Sequence, residues 1–361
     1  MAKRAAVIRV MVAIAGNIRT FGNVRHDTLR PLALARWLLA VAALIAAIVV
    51  IGGITRLTES GLSITEWKPV TGVLPPLSQS QWQSEFAAYQ HIPQYTQING
   101  PAGMTLAQYQ SIYFWEWLHR LLGRAIGLAM ALPFAWYAWR RAIPKGYALR
   151  LFTLLALIGL QGTFGWLMVR SGLSGRTLVA PHWLAIHLAT ALATMAGMIW
   201  TALDLRALAR RQPPARLTGF SALALAMLAI QLIYGALMAG WRAGALASDW
   251  PTMQGQMVPA GIDWSKGALA LIDDTYLIHF IHRWWAFAVV AVLVVMARKL
   301  RVRGARLASI ALHSTFGVQI VLGIATVMSG VAVWLAVLHQ LTGAVLVAAC
   351  VWSAHELGRR V

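Results

Sequence analysis

Eight apolar segments, each long enough to cross a lipid bilayer, constrain the fold of this 361-residue chain more than any other feature. A spanning helix needs about 20 mostly apolar residues, and in lipid its backbone polar groups must be satisfied within the segment itself. The sequence therefore predicts an all-α membrane protein. The eight predicted transmembrane helices are residues 34–55, 116–139, 149–169, 181–203, 217–240, 276–297, 307–328 and 332–354.

The composition excludes several classes of protein. Hydrophobic residues make up 59% of the chain and charged residues only 12%, whereas soluble proteins carry about 25% charged residues. These values exclude a soluble enzyme and a disordered chain. A nucleic-acid partner is excluded as well, because the basic residues behind the formal net charge of +20 follow membrane topology. The one cysteine, Cys350, cannot form an internal disulfide or a cysteine-based zinc or iron–sulfur site.

Most of the 31 Lys and Arg residues lie on one side of the predicted bundle. They occupy the N-terminal segment, the connections after the second, fourth and sixth spans, and the C-terminal end. Since positive charge accumulates on the cytoplasmic side of a membrane, both termini are expected there. This pattern indicates a multi-pass protein of the bacterial inner membrane. The mitochondrial inner membrane is the alternative, because an Arg-rich, acid-poor N-terminal segment also suits organellar targeting.

Three motifs recur in the second half of the chain in the same order. The equivalents are Glu116-Trp-Leu-His119-Arg120 and His279-Phe-Ile-His282-Arg283, Gln161-x-x-x-Gly165 and Gln319-x-x-x-Gly323, and His187-Leu-Ala-Thr-Ala and His339-Gln-Leu-Thr-Gly. An even number of spans separates them, which predicts two tandem, pseudo-symmetric four-helix bundles in one orientation. The expected organisation is a basic cytoplasmic tail (1–33), a first half (34–203) with a long outer loop (57–115), a cytoplasmic linker (204–216), a second half (217–354) and a cytoplasmic C-terminal tail (355–361).

Four histidines occupy equivalent positions, each about six residues into a span that runs inward: His119, His187, His282 and His339. They share one depth in the outer third of the membrane, where an ionisable side chain is costly and indicates a functional site. Zinc would need three or four ligands, whereas haem iron takes two axial ligands on opposite faces of a flat ring. The pattern favours a bis-histidine haem site in each half, with interhelical hydrogen bonds as the alternative.

Small residues follow each of these histidines by four positions, on the same helix face: Gly123, Ala191, Ala286 and Gly343. A porphyrin that lies against a helix needs such a shallow surface. Close helix–helix packing also favours small residues, so the two interpretations remain open here.

The two halves differ beside the first histidine. Glu116 precedes His119 by three residues and shares its helix face, whereas the equivalent residue of the second half is His279. A carboxylate at a haem edge can move protons or stabilise developing positive charge, so Glu116 is the catalytic candidate. The alternative is an ion pair of Glu116 with Arg120 or Arg124.

Four arginines near the outer helix ends are predicted to bind haem propionates, because Arg is the preferred planar partner of a carboxylate. Helix-end snorkelling explains any one of them equally well. They are Arg56 and Arg120 in the first half, and Arg242 and Arg283 in the second.

Three further histidines and the first outer loop are expected to have supporting roles. His182 is expected at the membrane interface, His279 along the second site, and His313 in a structural role. The long, aromatic outer loop is expected to cover the first site, since long ordered loops are usually functional.

Five motifs together resemble the haem A synthase family, of the alphaproteobacterial and mitochondrial type, from about residue 35 to 354. They are Gly53-Ile-Thr-Arg-Leu-Thr-Glu-Ser-Gly-Leu-Ser63, Glu116-Trp-Leu-His-Arg120, Asp249-Trp-Pro-Thr-Met253, His282-Arg283 and His339-Gln340. The chain departs from a second branch of that family, which has paired cysteines in an outer loop.

The resemblance implies oxidation of the C8 methyl group of haem O to a formyl group, which gives haem A for terminal oxidases. It implies that His119 and His187 flank the substrate haem beside Glu116, and that His282 and His339 hold a haem b that passes electrons. Membrane lipid is an implied partner. Haem O synthase, an electron donor and a second copy of the chain are candidate partners.

Local chemistry alone leaves two other functions open. One is a dihaem b-type cytochrome that only transfers electrons, and the other is a haem carrier or exporter. A glutamate beside the first histidine, Glu116, occurs in one half only, and the long outer loop lies over that same half. Both features favour an enzyme over a protein that only transfers electrons. Firm bis-histidine ligation disfavours an exporter.

Overall fold

The computed structural model describes residues 30–359. Eight of its helices are long and apolar enough to cross a membrane, which confirms the predicted all-helical membrane protein. We number them α1 (Pro31–Leu57), α2 (Leu106–Trp139), α3 (Ala148–Leu173), α4 (Pro181–Ala209), α5 (Gly219–Trp241), α6 (Thr275–Val302), α7 (Arg306–Met328) and α8 (Val333–Gly358). The predicted tail 1–33 lies outside the described residues except for its end, where Pro31 already opens α1. Below, the outer side is the one that carries the loops 58–105 and 242–274, and the inner side is the opposite one.

The second helix begins at Leu106 rather than at residue 116, so the end of the predicted outer loop 57–115 is helical. A capping box starts it. The Thr105 hydroxyl accepts from the backbone N–H of Gln108 at 3.3 Å, and Oε1 of Gln108 accepts from the backbone N–H of Thr105 at 2.8 Å. The first turns of α2 are too polar for a hydropathy criterion to detect, because they project beyond the apolar segment. The same loop contains a short helix, Gln79–Tyr89.

Three helices also extend at least four residues further inward than predicted, to Ala209 in α4, Val302 in α6 and Gly358 in α8. The extensions of α4 and α8 contribute to a buried polar cluster. The carboxylate of Asp204 accepts from Nη1 of Arg150 at 2.7 Å and from the backbone N–H of Ala215 at 3.1 Å, and it lies 3.1 Å from Nε2 of His355. Because Asp204 belongs to the first half and His355 to the second, this cluster joins the inner ends of the two halves.

Helix packing follows the order of the chain. In each half, consecutive helices pack together and the last packs back on the first, as a four-helix bundle requires: α1–α2, α2–α3, α3–α4 and α4–α1, and α5–α6, α6–α7, α7–α8 and α8–α5. The halves meet where α1 packs on α8, and where α4 packs on α5 and α8.

The main apolar core lies toward the inner side. It includes fully buried side chains from both halves: Leu38, Met130, Met198, Leu300 and Cys350. The four histidines singled out by the sequence lie nearer the outer ends of their helices. The core therefore forms a rigid base below the candidate sites.

Close backbone contacts hold the outer ends of the halves together. A Cβ atom added at Gly240 of α5 would lie 2.7 Å from the Cα atom of Pro181 at the start of α4. Nearby, the guanidinium of Arg56 donates to the carbonyl of Ala239 at 2.7 Å. Deeper in the bundle, Nε2 of Gln340 in α8 donates to the carbonyl of Val49 in α1 at 2.9 Å.

Gly240→Ala is expected to destabilise the protein, because the new methyl group would meet backbone atoms of α4 that no rotamer change can move. Such overpacking typically costs about 1–3 kcal/mol. Gly159→Ala is the matched control, since a Cβ atom there meets nothing within 4 Å. Thermal unfolding in detergent should show a lower Tm for Gly240→Ala alone. Equal Tm values for the two variants would contradict the close contact.

Candidate functional site

The four candidate histidines lie on the even-numbered helices, at His119 of α2, His187 of α4, His282 of α6 and His339 of α8. All four are half-buried. Three lie about two turns from the start of their helices, whereas His119 lies about two turns deeper into α2 because that helix begins early. Each ring is thus placed between helices, below the outer loops.

Each of these rings packs against a glycine of the preceding helix. A Cβ atom added to the glycine would lie about 3 Å from Cε1 of the imidazole, closer than side chains normally approach. The contacts are Gly52 with His119 (2.9 Å), Gly165 with His187 (3.1 Å), Gly235 with His282 (3.0 Å) and Gly323 with His339 (2.9 Å). The absence of a side chain lets every ring lie directly on the backbone of its neighbour.

The first pair of rings, His119 and His187, faces each other across the first half, with centroids 6.4 Å apart. A metal–imidazole bond is about 2 Å long, so two nitrogens on opposite sides of one ion lie about 4 Å apart. A centroid separation of 6.4 Å is compatible with such a bridge. In the second half, His282 and His339 lie on α6 and α8, which pack together.

The donor set fits a haem better than a zinc ion. Within residues 30–359, no group of three or more His, Cys, Asp or Glu side chains is placed to hold a metal ion. Nδ1 of His119 and Nδ1 of His339 are buried without a hydrogen-bond partner. Two imidazoles per half match the number and type of side chain that would hold a b-type haem.

Glutamine side chains support three of the four rings. Nε2 of Gln161 lies 2.7 Å from the backbone carbonyl of His187 and 3.0 Å from its Nδ1. Gln231 makes the same two contacts with His282, at 2.9 and 3.2 Å. Nε2 of Gln319 lies 3.4 Å from Nε2 of His339.

Sequence reasoning found only part of this arrangement. It used Gln161 and Gln319 to align the halves, but it missed Gln231 and the packing role of the glycines. The signal was present, because Gln-x-x-x-Gly occurs a third time at Gln231 and Gly235. The contact between a ring and the glycine could not be seen without knowing which helices are neighbours.

Glu116 is almost fully buried, with 3% of its surface exposed, and both of its carboxylate oxygens are hydrogen-bonded. Oε2 accepts from the hydroxyl of Ser63 at 2.7 Å and from the backbone N–H of Ile64 at 2.8 Å. Oε1 accepts from Nη2 of Arg120 at 2.6 Å. The ion pair weighed as an alternative is therefore present, with Arg120. Arg124 instead donates to backbone carbonyls of the outer loop.

The second half repeats this contact with a different acceptor. Nε of Arg283 donates to Nε2 of His279 at 2.8 Å, one helical turn away, as Arg120 does to Glu116. The ring of His279 is fully buried and bonds this arginine. The acidic group of the first half is thus replaced by a neutral acceptor in the second.

The four outer arginines bond the chain's own groups. Arg120 donates to the carbonyl of Ile64 at 2.9 Å, and Arg283 donates to the carbonyls of Asp249 and Thr252 at 2.8 and 2.6 Å. Arg56 bonds the end of α5, and Arg242 pairs with Glu59. They hold the outer loops and helix ends next to the histidines, and propionate binding stays a prediction.

The second outer loop is held by the Asp249 carboxylate. It accepts from the backbone N–H groups of Gly255 and Gln254 at 3.0 and 2.8 Å and from the hydroxyl of Thr252 at 2.7 Å. These hydrogen bonds hold the pKa of Asp249 well below its usual range. Asp249 thus remains ionised at neutral pH and fixes the loop that Arg283 binds.

The first outer loop is ordered by an aromatic cluster above α2. Tyr89 and Tyr109 are fully buried, and the hydroxyl of Tyr109 donates to the carbonyl of Ser63 at 3.0 Å. A cavity of about 380 Å³ opens beside this cluster, lined by Pro75, Trp82, Gln110, Tyr113, Phe114 and Trp117. The loop therefore folds onto the outer part of α2, in the half that contains Glu116.

Three further histidines lie close to polar groups of the chain. Nε2 of His182 lies 3.0 Å from the carboxylate of Asp273, near the outer surface. Nδ1 of His313 lies 3.0 Å from the carbonyl of Ser309 in its own helix. His355, to which the sequence gave no role, belongs to the inner cluster with Asp204.

Comparison with known proteins gives consistent results. Residues 35–351 match the model of a family described as cytochrome oxidase assembly protein. A protein of Novosphingobium aromaticivorans named heme A synthase is 60% identical over 91% of this chain and 96% of its own length. Proteins of the same name from Sphingopyxis alaskensis and Erythrobacter litoralis are 57% and 54% identical, over 92% and 91% of this chain and 94% and 98% of their own lengths.

The family match runs from α1 into α8 and includes both histidine pairs. The identities of 54–60% over more than nine tenths of the chain show common ancestry. They agree with the resemblance that the sequence motifs indicated. The chain is an integral membrane member of the haem A synthase family of cytochrome oxidase assembly proteins.

Proposed function

We propose that this protein oxidises the C8 methyl group of haem O to a formyl group and so produces haem A. The conversion adds one oxygen atom and removes two hydrogen atoms. The observation that carries the proposal is the pair His119 and His187, whose rings face each other at 6.4 Å in a chain of this family. Two opposed imidazoles below an ordered loop suit a planar substrate that contains iron.

The first half would bind the substrate. His119 and His187 would bracket the iron of haem O, and Gly52 and Gly165 allow the two rings to lie against α1 and α3. Arg120 would lie toward the propionate edge, together with Arg56. The aromatic outer loop would limit the access of water from the outer side.

The second half would bind the cofactor. His282 and His339 would ligate a haem b, with Arg242 and Arg283 on the outer side. When bound there, haem b supplies one-electron transfer to or from the first site. The chain's own contribution is to fix the two rings through Gly235 and Gly323 and to keep the loop at Asp249 closed through Arg283.

Glu116 would act beside the substrate. Its carboxylate is buried and paired with Arg120, and the second half has His279 at the equivalent place. A buried carboxylate near a reacting centre can stabilise developing positive charge or transfer a proton. Its bonds to Ser63 and Ile64 would at the same time hold the loop above the site.

One observation favours a second candidate function, a dihaem b-type cytochrome. The four rings have nearly the same surroundings in both halves, with a glycine behind each. Two equivalent haems would suffice for electron transfer without substrate oxidation. The difference between Glu116 and His279 favours the enzyme, and a direct product analysis separates the two.

The proposed location is the bacterial inner membrane, with both termini on the cytoplasmic side. The basic residues at the inner helix ends support this orientation, for example Arg150, Arg206 and Arg303. The substrate would come from a haem O synthase, and a separate electron donor would complete the reaction.

The proposed function is tested by mass analysis of haems extracted from membranes that contain the protein and a supply of haem O. A species heavier than haem O by 14 mass units would identify the aldehyde. Membranes with the His119→Ala variant serve as the control and should contain haem O but no haem A. Unchanged haem O with the unaltered protein would support the cytochrome instead.

Glu116→Ala is expected to keep haem b but to lower the conversion of haem O by at least about 100-fold, because a charge-stabilising or proton-transferring group is removed. Glu116→Gln keeps hydrogen-bonding groups for Ser63 and Ile64 and should be similarly impaired. Glu66→Gln, in the same outer loop and largely exposed, is the control and should remain active. If the Glu116→Gln variant is active, the role of Glu116 is only to support the outer loop. If the Glu116→Ala variant loses haem b, Glu116 has a structural role instead of a catalytic one.

His282→Ala and His339→Ala are each expected to remove the tightly bound haem b, because one axial ligand is lost. The readout is the low-spin absorption spectrum and the haem content of the purified protein. His182→Ala is the control, since His182 pairs with Asp273 near the surface. Unchanged low-spin spectra in both ligand variants would contradict the assignment of the second site.

A further inference from the structure

The support behind the four histidines is incomplete at one position. In α3, α5 and α7, a glutamine precedes the packing glycine by four residues, and its amide nitrogen lies 3.0–3.4 Å from a ring nitrogen of the histidine. In α1, the residue four positions before Gly52 is Ile48. Only His119 therefore lacks an amide partner on the preceding helix.

Ile48 occupies the place of the missing glutamine. Each histidine is followed four residues later by a small residue, and for His119 and His339 this residue is a glycine that faces a side chain of the preceding helix. A Cβ atom at Gly343 would lie 3.5 Å from Nε2 of Gln319, and one at Gly123 would lie 3.9 Å from Cδ1 of Ile48. Ile48 of α1 therefore faces α2 in the same way that Gln319 of α7 faces α8, so the two residues occupy equivalent positions.

The difference changes how firmly each ring is held. The amides of Gln161 and Gln231 contact both the backbone carbonyl and the ring of the same histidine, which restricts rotation of the imidazole. Gln319 reaches the ring of His339 at Nε2 only, at 3.4 Å, and leaves its Nδ1 without a partner. Ile48 offers no polar contact at all, so neither Nδ1 of His119 nor its backbone carbonyl has an amide partner on α1. Partners behind a metal-ligating histidine orient the ring and typically change metal affinity by about 10–100-fold.

We propose that Gln161, Gln231 and Gln319 are positioning residues for the haem-ligating histidines, and that His119 is the exchangeable ligand of the first site. This inference rests on the proposed function, in which the first haem is a substrate that must enter and leave. The second site, whose haem stays bound, has a glutamine behind both of its histidines. The first site has one fixed ligand, His187, and one that can rotate away.

The test compares haem release from holoprotein purified from membranes that make both haem b and haem O, with haem O and its oxidised product counted together as the haem of the first site. Excess apomyoglobin captures the released haem, and mass analysis assigns each species to its site. Ile48→Gln should slow the release of haem O about tenfold, because it installs the missing amide. Ile48→Leu is the matched control, because leucine changes the shape of the side chain without adding an amide. This variant should release haem O at the rate of the unaltered protein.

Removing an existing glutamine should have the opposite effect. Gln161→Leu should speed the release of haem O about tenfold, and Gln231→Leu should do the same for haem b. Thr163→Val, on the exposed face of α3, is the control for general damage to that helix. The low-spin ferric signal in electron paramagnetic resonance should shift for each glutamine variant and stay unchanged for Thr163→Val.

The inference is overturned if Ile48→Gln and Ile48→Leu release haem O at the same rate, or if the glutamine variants leave both the release rates and the ferric signal unchanged. These readouts do not depend on turnover. Failure to convert haem O would reject the proposed function. The rate of haem b release from the Gln231→Leu variant would still decide whether the glutamines position the histidines, because this measurement involves the second site alone.

Discussion

The contact of an imidazole ring with a glycine backbone is the interaction on which the rest of this structure depends. It occurs four times, and each time a histidine on an inward-running helix lies on the helix before it. A methyl group at any of these glycines would lie about 3 Å from the ring. The glycine therefore sets the distance between the two helices and the place of the histidine ring at the same time. The buried apolar core on the inner side provides the rigid frame that keeps this spacing.

The loops outside the membrane are tied to the same helices. Arg120 follows His119 directly, and Arg283 follows His282, and both guanidinium groups bind backbone carbonyls of the loop above them. The position of each loop is therefore linked to the rotation of the helix that carries the histidine. Glu116 and His279 orient these arginines from one turn earlier.

Much of the fold and of the site could be predicted from the sequence. Apolar length is a strong signal, so the eight spans were found, and the tandem motifs identified the four histidines. Two kinds of feature were missed. The polar start of α2 at Leu106 and the buried Asp204 cluster depend on hydrogen bonds that hydropathy cannot register. The partners of Glu116, Ser63 and Ile64, lie more than 50 residues away in sequence, so only the folded chain brings them together.

The two halves are joined at three depths, by Arg56 on the outer side, by Gln340 in the middle and by Asp204 with His355 on the inner side. A hinge motion between them would have to break all three connections. These three connections fix the spacing of the two ring pairs in this structure. Because electron tunnelling slows steeply as the gap widens, haems held by both ring pairs, as proposed, would exchange electrons across a gap that needs no domain movement to form.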